Sequence, residues 1–226
     1  LELKDETITR LIPPPLAPSR PYRAHFIVNH FRKTTLPGVE NYMESAILLE
    51  VMFEEIKGTL TLSMILDDDN AMIGGREFFG FPKKMGTINF QYDDSSASGD
   101  VIRRGVTIAE FKCDITDEAE NIDDIQSPFS DTCYNIKCFP DPGLRKFDYP
   151  PRVVKHQIAV KKKRIRSVIN PELILNSSQF DPWAEITPFK IIDSYLHEYD
   201  STIMAGEVIA QIDSNDYFKF ALNRFI

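Results

Sequence analysis

The sequence has little of what marks several large classes of protein. It contains only 3 cysteines in 226 residues, and these, Cys113, Cys133 and Cys138, form neither an even set nor a Cys-x-x-Cys pair. This usage argues against a disulfide scaffold and against a cysteine-rich zinc site. We expect free, mostly buried thiols and a cytoplasmic location, because a reducing compartment keeps thiols unpaired.

Long apolar runs and an excess of positive charge are also missing. No run approaches the roughly 18 to 20 apolar residues that cross a bilayer, and no signal peptide opens the sequence. The formal net charge is -8, whereas binding to nucleic acid or to anionic lipid needs a concentrated positive surface. We therefore expect neither a membrane nor a nucleic-acid partner.

What the sequence does contain is typical of a folded domain rich in β-structure. Apolar residues make up 42% and charged residues 27% of the chain, which is enough to build a core. No internal repeat or boundary is visible, so residues 1–226 are predicted to form a single domain. Short β-type runs between turn clusters predict strands at 24–31, 45–53, 58–66, 86–92, 101–113, 131–139, 152–160, 163–169 and 201–212.

Helices are predicted at 5–11, 69–79 and 214–226. Asp5 or Thr7 is predicted to cap the first helix, and the prolines that begin at residue 13 end it. Residues 13–18 are predicted to form an extended connector. The second helix begins at a cap formed by Asp69 or Asn70 and stops at Gly80. The third has apolar residues at helical spacing. Turns are predicted at 55–58 and 95–100, and an acidic loop is predicted at 114–131. Together with the regular spacing of the strands, they favour a mostly β (α+β) fold with a closed or sandwiched antiparallel sheet.

The segment from residue 74 to residue 86 carries the most chemical information. It combines three phenylalanines with a lysine pair: Phe78, Phe79, Phe81, Lys83 and Lys84. A lysine is a nucleophile only as the neutral amine, and an ordinary lysine pKa of about 10.4 leaves almost none neutral at pH 7. Removal of water and a neighbouring cation both lower a lysine pKa. We expect the phenylalanines to supply the first effect and Lys84 the second. If the segment is extended, the first is larger, because adjacent side chains then point to opposite sides.

Residues 75–84, with the pattern Gly-Arg-Glu-x-x-Gly-Phe-Pro-Lys-Lys, resemble the active-site signature of the acetoacetate decarboxylase family. Upstream, the run Tyr42-Met43-Glu44-Ser45 is similar to the Tyr-x-Glu-Ser segment of that family, and residues 63–67 are similar to its Met-x-Leu-Asp strand end. Weaker similarity follows at 134–140 and 179–188. The resemblance covers roughly residues 12–212 and is strongest from 42 to 86.

The resemblance implies a β-barrel or cone with flanking antiparallel sheet and a few helices, a homo-oligomer, and chemistry without a cofactor or metal. It implies that Lys83 forms a Schiff base with the ketone of a small β-keto acid such as acetoacetate, which then loses CO2. Lys84 would help to keep that amine neutral, and Glu44 would transfer a proton. The predicted substrate-binding residues are Phe81, Met64 and Arg76.

Two departures from the family pattern leave the reaction open. The family's decarboxylases also use an arginine upstream of the proline-rich segment and a second glutamate just after it. The first position falls before Leu1, and the second falls near His25-Phe26-Ile27, where the sequence has no carboxylate. The alternatives are a Schiff-base aldolase or dehydratase that acts on a larger oxo acid, and a protein that binds carbonyl ligands without turnover.

Other motifs are weaker. The acidic run 67–70 lacks the spacing of a calcium loop and is predicted to cap the following helix. The basic run 161–164 is predicted to be a solvated strand end. The 4 histidines show no metal-ligand spacing, no Gly-x-Ser-x-Gly motif is present, and Gly74-Gly75 lacks the rest of a phosphate loop. We expect no bound metal.

Overall fold

The structure, a computed structural model, describes residues 1–4, 8–119, 122–125, 127–129, 132–143 and 146–225, with only the backbone from 222 to 225. Asp5, Glu6 and Thr7, which include both caps predicted for the helix at 5–11, lie outside the described residues. Ile8 and Thr9 are helical. In the part of the chain that is described, no helix is long and apolar enough to span a membrane.

The first part of the chain forms strands that frame one helical segment. In chain order the strands are β1 (Glu2–Leu3), β2 (Ala17–Pro18), β3 (Ala24–Phe31), β4 (Tyr42–Phe53), β5 (Ile56–Leu66) and β6 (Lys83–Met85). Between β5 and β6 lie helix α1 (Asp69–Gly74) and a π-helical turn (Gly75–Phe79). The cap is Asp68 rather than Asp69 or Asn70, because its carboxylate accepts a hydrogen bond from the Ala71 N–H at 2.7 Å.

The rest of the chain adds longer strands and a C-terminal helix. The strands are β7 (Thr87–Tyr92), β8 (Ser96–Arg103), β9 (Val106–Glu118), β10 (Thr132–Lys137), β11 (Arg152–Leu175), β12 (Phe189–Lys190), β13 (Tyr195–Ile203) and β14 (Glu207–Gln211). A 3-10 turn (Trp183–Ile186) precedes β12, and helix α2 (Ser214–Phe225) ends the described residues. Ile226, the last position of the third predicted helix, lies outside them.

The large sheet is organised around one long strand. The two strands predicted at 152–160 and 163–169 are a single strand, β11, which pairs with β10 and β14 at its start, β13 in its middle and β9 at its end. A bulge between Lys162 and Arg164 lets the strand bend from one set of partners to the next.

The sheet confirms a mostly β fold with few helices, but not a closed barrel. Its path runs β2-β4-β5-β10-β11-β9-β8-β7, with β3 on β4, β6 on β5, and β13 and β14 on β11. Among the described residues the end strands β2 and β7 do not pair with each other, so the closed form of the predicted barrel is not found there.

Several predicted boundaries were wrong for local reasons. The strand predicted at 101–113 contains a hairpin turn, because Arg104 and Gly105 both have positive φ, 49° and 78°, as a two-residue hairpin of the type I′ kind requires. The turn predicted at 95–100 belongs mostly to β8, since Asp93 closes the preceding turn by accepting from the Ser95 and Ser96 N–H groups. The acidic loop starts after Glu118, where β9 ends, and the segment 201–212 is divided between β13 and β14.

Candidate active site

The turn after α1 delivers the lysine pair into the sheet. Gly80 ends the helical segment with φ 81°, and a Cβ there would lie 2.8 Å from the backbone of Lys137, so both the conformation and the space demand glycine. The chain then pairs in parallel with β5, with Met64 opposite Lys83. The glycine of the Gly-Phe-Pro-Lys-Lys run is thus what allows Lys83 to enter a strand directly after a helix.

Lys83 and Glu44 form a buried ion pair. The distance from Lys83 Nζ to Glu44 Oε2 is 2.8 Å, and the two side chains are 8% and 5% exposed. Glu44 comes from β4, whose neighbour β5 separates it from β6. The amine also lies 5.7 Å from the ring centre of Tyr42 and 5.6 Å from that of Phe81. An amine and a carboxylate in close contact away from water can exchange a proton.

Two tyrosines lie near the Glu44 carboxylate. Burial, followed by the charge of Glu44, raises the pKa of Tyr42 and of Tyr199 above the ordinary value. Both phenols are therefore neutral at physiological pH and remain available as hydrogen-bond donors. The Tyr199 hydroxyl donates to Asn29 Oδ1 at 2.8 Å.

The apolar side of the site is built from part of the phenylalanine cluster. Phe81 and Met64 are 4% and 1% exposed and belong to one small core cluster. Phe79 packs on Phe81, and both rings contact the imidazole of His156 at centroid distances of 5.2 Å. The expectation that Phe78 also shields the lysines was wrong, because this side chain is 75% exposed.

Lys84 points to different partners from Lys83. Its Nζ donates to Asp181 Oδ1 at 2.9 Å and to the Phe180 carbonyl at 2.8 Å. The side chains of Lys84 and Asp181 are 3% and 0% exposed, and Arg103 approaches the other carboxylate oxygen at 3.7 Å. Burial lowers the pKa of Lys84, while the Asp181 charge opposes that effect. The strand geometry of β6 accounts for the opposite directions of the two lysine side chains.

Arg76 and Gly75 hold Lys83 from the π-helical turn. Arg76 Nη1 donates to the Lys83 carbonyl oxygen at 2.9 Å, so the guanidinium fixes the backbone of the reactive segment. A Cβ on Gly75 would lie 2.6 Å from Lys83 Cδ and 3.2 Å from Nζ. The turn therefore packs directly against the lysine side chain.

A cavity of about 1660 Å³ opens beside these residues. Asn29, Tyr42, Phe79 and Tyr199 belong to its wall, whereas Lys83 and Glu44 do not. In the described residues, no group of three or more histidine, cysteine or acidic side chains is arranged to hold a metal ion.

Sequence reasoning missed Asn29, Tyr199, Asp181 and His156. Asn29 alternates with Ile27 and Phe31 on one face of β3, and His156 alternates with Val154 and Ile158 on one face of β11. This alternation was the available signal. Asp181 lies within the weak similarity at 179–188, but no local pattern connects it with Lys84. Tyr199 comes from a distant strand and gave no signal.

Comparison with known proteins shows the family of the chain. The family model described as acetoacetate decarboxylase matches residues 2–212, and the chain belongs to that family. A relative named acetoacetate decarboxylase 2, from Mesorhizobium japonicum, is 27% identical over 203 residues, which is 88% of this chain and 74% of that protein.

Solved structures share the fold at low sequence identity. The acetoacetate decarboxylase of Legionella pneumophila superposes with a TM-score of 0.84 at 20% identity, covering 93% of this chain and 82% of that one. The enduracididine biosynthesis enzyme MppR superposes with a TM-score of 0.76 at 17% identity, covering 96% and 84%. The fold is therefore shared with these solved structures.

Proposed function

We propose that the protein is a Schiff-base lyase that decarboxylates a small β-keto acid such as acetoacetate, giving acetone and CO2. The observation that carries the proposal is the buried contact of 2.8 Å between Lys83 Nζ and Glu44 Oε2. Glu44 takes the proton that the ammonium must lose, and the neutral amine attacks the ketone carbon. Loss of water from the adduct then leaves a protonated imine.

The later steps use the same two groups. The bond to the carboxylate carbon breaks, CO2 leaves, and the electron pair moves into the iminium to form an enamine. Glu44, protonated again from water, donates a proton to the enamine carbon, and water hydrolyses the resulting iminium to acetone and the Lys83 ammonium. Phe81 and Met64 form the apolar wall that excludes water, and Arg76 holds the Lys83 backbone. Lys84, paired with Asp181, contributes positive charge and anchors β6.

A second candidate is aldol-type chemistry on a larger oxo acid. MppR, a fold neighbour, has been solved with the condensation product of pyruvate and imidazole 4-carboxaldehyde. The sequence has no carboxylate near His25-Phe26-Ile27, where the family's decarboxylases use a second glutamate, and this departure favours a different substrate. Carbon dioxide release from acetoacetate, compared with product formation from pyruvate and an aldehyde, separates the two candidates.

Borohydride trapping tests the shared chemistry. Reduction in the presence of acetoacetate or pyruvate is expected to add the ligand mass to the Lys83 peptide, and Lys83→Met should abolish that adduct. The matched control is Lys112→Met, which removes an exposed lysine and should leave trapping unchanged. Absence of an adduct at Lys83 with every carbonyl compound would overturn the proposal, whereas an adduct without turnover would indicate a binding protein.

Three further predictions belong to this proposal. Residues 1–226 form one domain, which is supported by a family match that runs through residues 2–212. The protein is a cytoplasmic homo-oligomer, as the family resemblance suggests, and Cys113, Cys133 and Cys138 form no disulfide among the described residues. Light scattering on the purified protein tests the oligomeric state.

A further inference from the structure

Asn29 lies beside the reactive pair without taking part in it. Strands β3 and β4 are antiparallel, and Asn29 is directly opposite Glu44. Directly opposite residues project from the same face of a sheet, with Cβ atoms about 5 Å apart. The Asn29 amide is therefore a neighbour of the Glu44 carboxylate and of the amine that this carboxylate binds.

Tyr199 fixes the orientation of that amide. Its hydroxyl donates to Asn29 Oδ1, so the oxygen of the amide is occupied and the NH2 group is left to donate. In the described part of the protein, Asn29 Nδ2 is buried and has no hydrogen-bond partner. Buried donors are nearly always paired, and Asn29 belongs to the cavity wall. An acceptor on a bound molecule is the partner that this geometry suits.

The charges around the amide define the acceptor. Glu44 is already engaged by Lys83, and the Tyr199 hydroxyl is engaged by Asn29. The Tyr42 phenol is a second neutral donor beside the Asn29 amide. A substrate carboxylate would meet donors on this side of the site, and the Lys83 iminium would balance its charge. A single neutral donor positions a carboxylate without neutralising it, so the negative charge that drives loss of CO2 stays on the substrate.

We infer that Asn29 is the specificity-determining residue that binds the substrate carboxylate, and that Tyr199 is the residue that positions it. This inference rests on the proposed function and names its substrate class: a short oxo acid whose carboxylate lies within reach of Asn29 Nδ2 when its ketone is joined to Lys83. Neutral ketones of the same size lack that contact.

The test measures selectivity on the whole protein. We define selectivity as the rate of borohydride-trapped adduct formation at Lys83 with acetoacetate, divided by the rate with pentane-2,4-dione, a neutral diketone of similar size. Asn29→Asp keeps the shape but replaces the donor with an anion, and it should lower selectivity by about tenfold or more. Tyr199→Phe should lower it by about threefold, since the amide then loses its fixed orientation.

Controls separate this role from a structural one. Asn41→Asp adds the same charge at an exposed position beside β4 and should leave selectivity within about twofold of the natural protein. Asn29→Ala removes the donor without adding charge, and it replaces Asn29→Asp in the test if that variant does not fold. A structural defect would slow both probes equally and leave the ratio unchanged.

The outcomes of the two proposals differ. If the natural protein traps acetoacetate but Asn29→Asp and Asn29→Ala keep the same ratio, the inference is overturned and the proposed function stands. If the natural protein forms no Lys83 adduct with either probe, the proposed function fails, and the assignment of Asn29 fails with it.

Discussion

Glu44 Oε2 lies 2.8 Å from Lys83 Nζ in a site where both side chains are more than nine-tenths buried. A carboxylate so placed can accept the ammonium proton and can later donate a proton to the enamine carbon. Glu44→Gln keeps the size and removes the charge, so turnover of the substrate should fall by about 10² to 10⁴-fold. Glu55→Gln, at an exposed turn, is the matched control and should retain full turnover. Full turnover in Glu44→Gln would remove this residue from the reaction.

Gly75 gives a test of how closely the amine must be held. A Cβ added there would lie 2.6 Å from Lys83 Cδ, so Gly75→Ala must displace the flexible lysine side chain rather than the backbone. Displacement of a reacting atom by about 1 Å can cost about 100-fold in rate, and we expect a loss of that order in turnover and in trapping. The melting temperature should change little.

The neighbouring glycine is the control for Gly75. A Cβ on Gly74 would have nothing within 4 Å, so Gly74→Ala should leave turnover unchanged and stabilise the helical segment by up to about 1 kcal/mol. Equal losses of turnover in the two alanine variants would show that the helical segment, rather than contact with Lys83, is what matters.

The Lys84–Asp181 contact predicts a large effect on stability. Both side chains are almost fully buried, and removal of one partner leaves an uncompensated charge, so Lys84→Met should lower the free energy of unfolding by about 3 to 5 kcal/mol. Adding Asp181→Asn should restore part of that loss. Urea denaturation measures the free energy of unfolding of both variants. Lys112→Met, which breaks an exposed pair with Glu172, should cost at most about 1 kcal/mol.

The contrast between the two lysines shows which parts of the site could be predicted from the sequence. The resemblance of two separate segments to the acetoacetate decarboxylase family was enough to predict that Lys83 and Glu44 lie close together. The alternation of an extended segment implied that Lys84 would then point the other way. The partner of Lys84 could not be predicted, because Asp181 reaches it only through the packing of a distant loop against β6. The same limit applies to Tyr199, whose contact with Asn29 depends on how β13 is placed by the bent strand β11.

Boundaries failed where geometry outweighed composition. The run 101–113 is rich in β-branched residues, yet Arg104 adopts a positive φ that non-glycine residues rarely adopt. The expectation for Phe78 failed for a similar reason. Its neighbours Phe79 and Phe81 face the site, whereas Phe78 faces solvent. Hydrophobic character alone did not reveal which face of the π-helical turn would be covered.

His156 predicts how stability depends on pH. Burial lowers the pKa of this imidazole from the ordinary 6.5 to about 4, and in the described residues neither ring nitrogen has a hydrogen-bond partner. Between pH 6.5 and pH 4 the unfolded chain therefore binds a proton that the folded protein does not. Stability from this residue is fully present above pH 6.5 and falls as the pH is lowered, by about 3 kcal/mol near pH 4.

His156→Leu should remove that part of the pH dependence. Unfolding free energies from urea denaturation at pH 7, 5.5 and 4.5 should converge for the variant and diverge for the natural protein, since the leucine cannot take up a proton in either state. His30→Gln, at a side chain that bonds Asn41 near the exposed end of β3, should keep the natural pH dependence. Parallel curves for the natural protein and His156→Leu would mean that the acid sensitivity comes from the carboxylates instead.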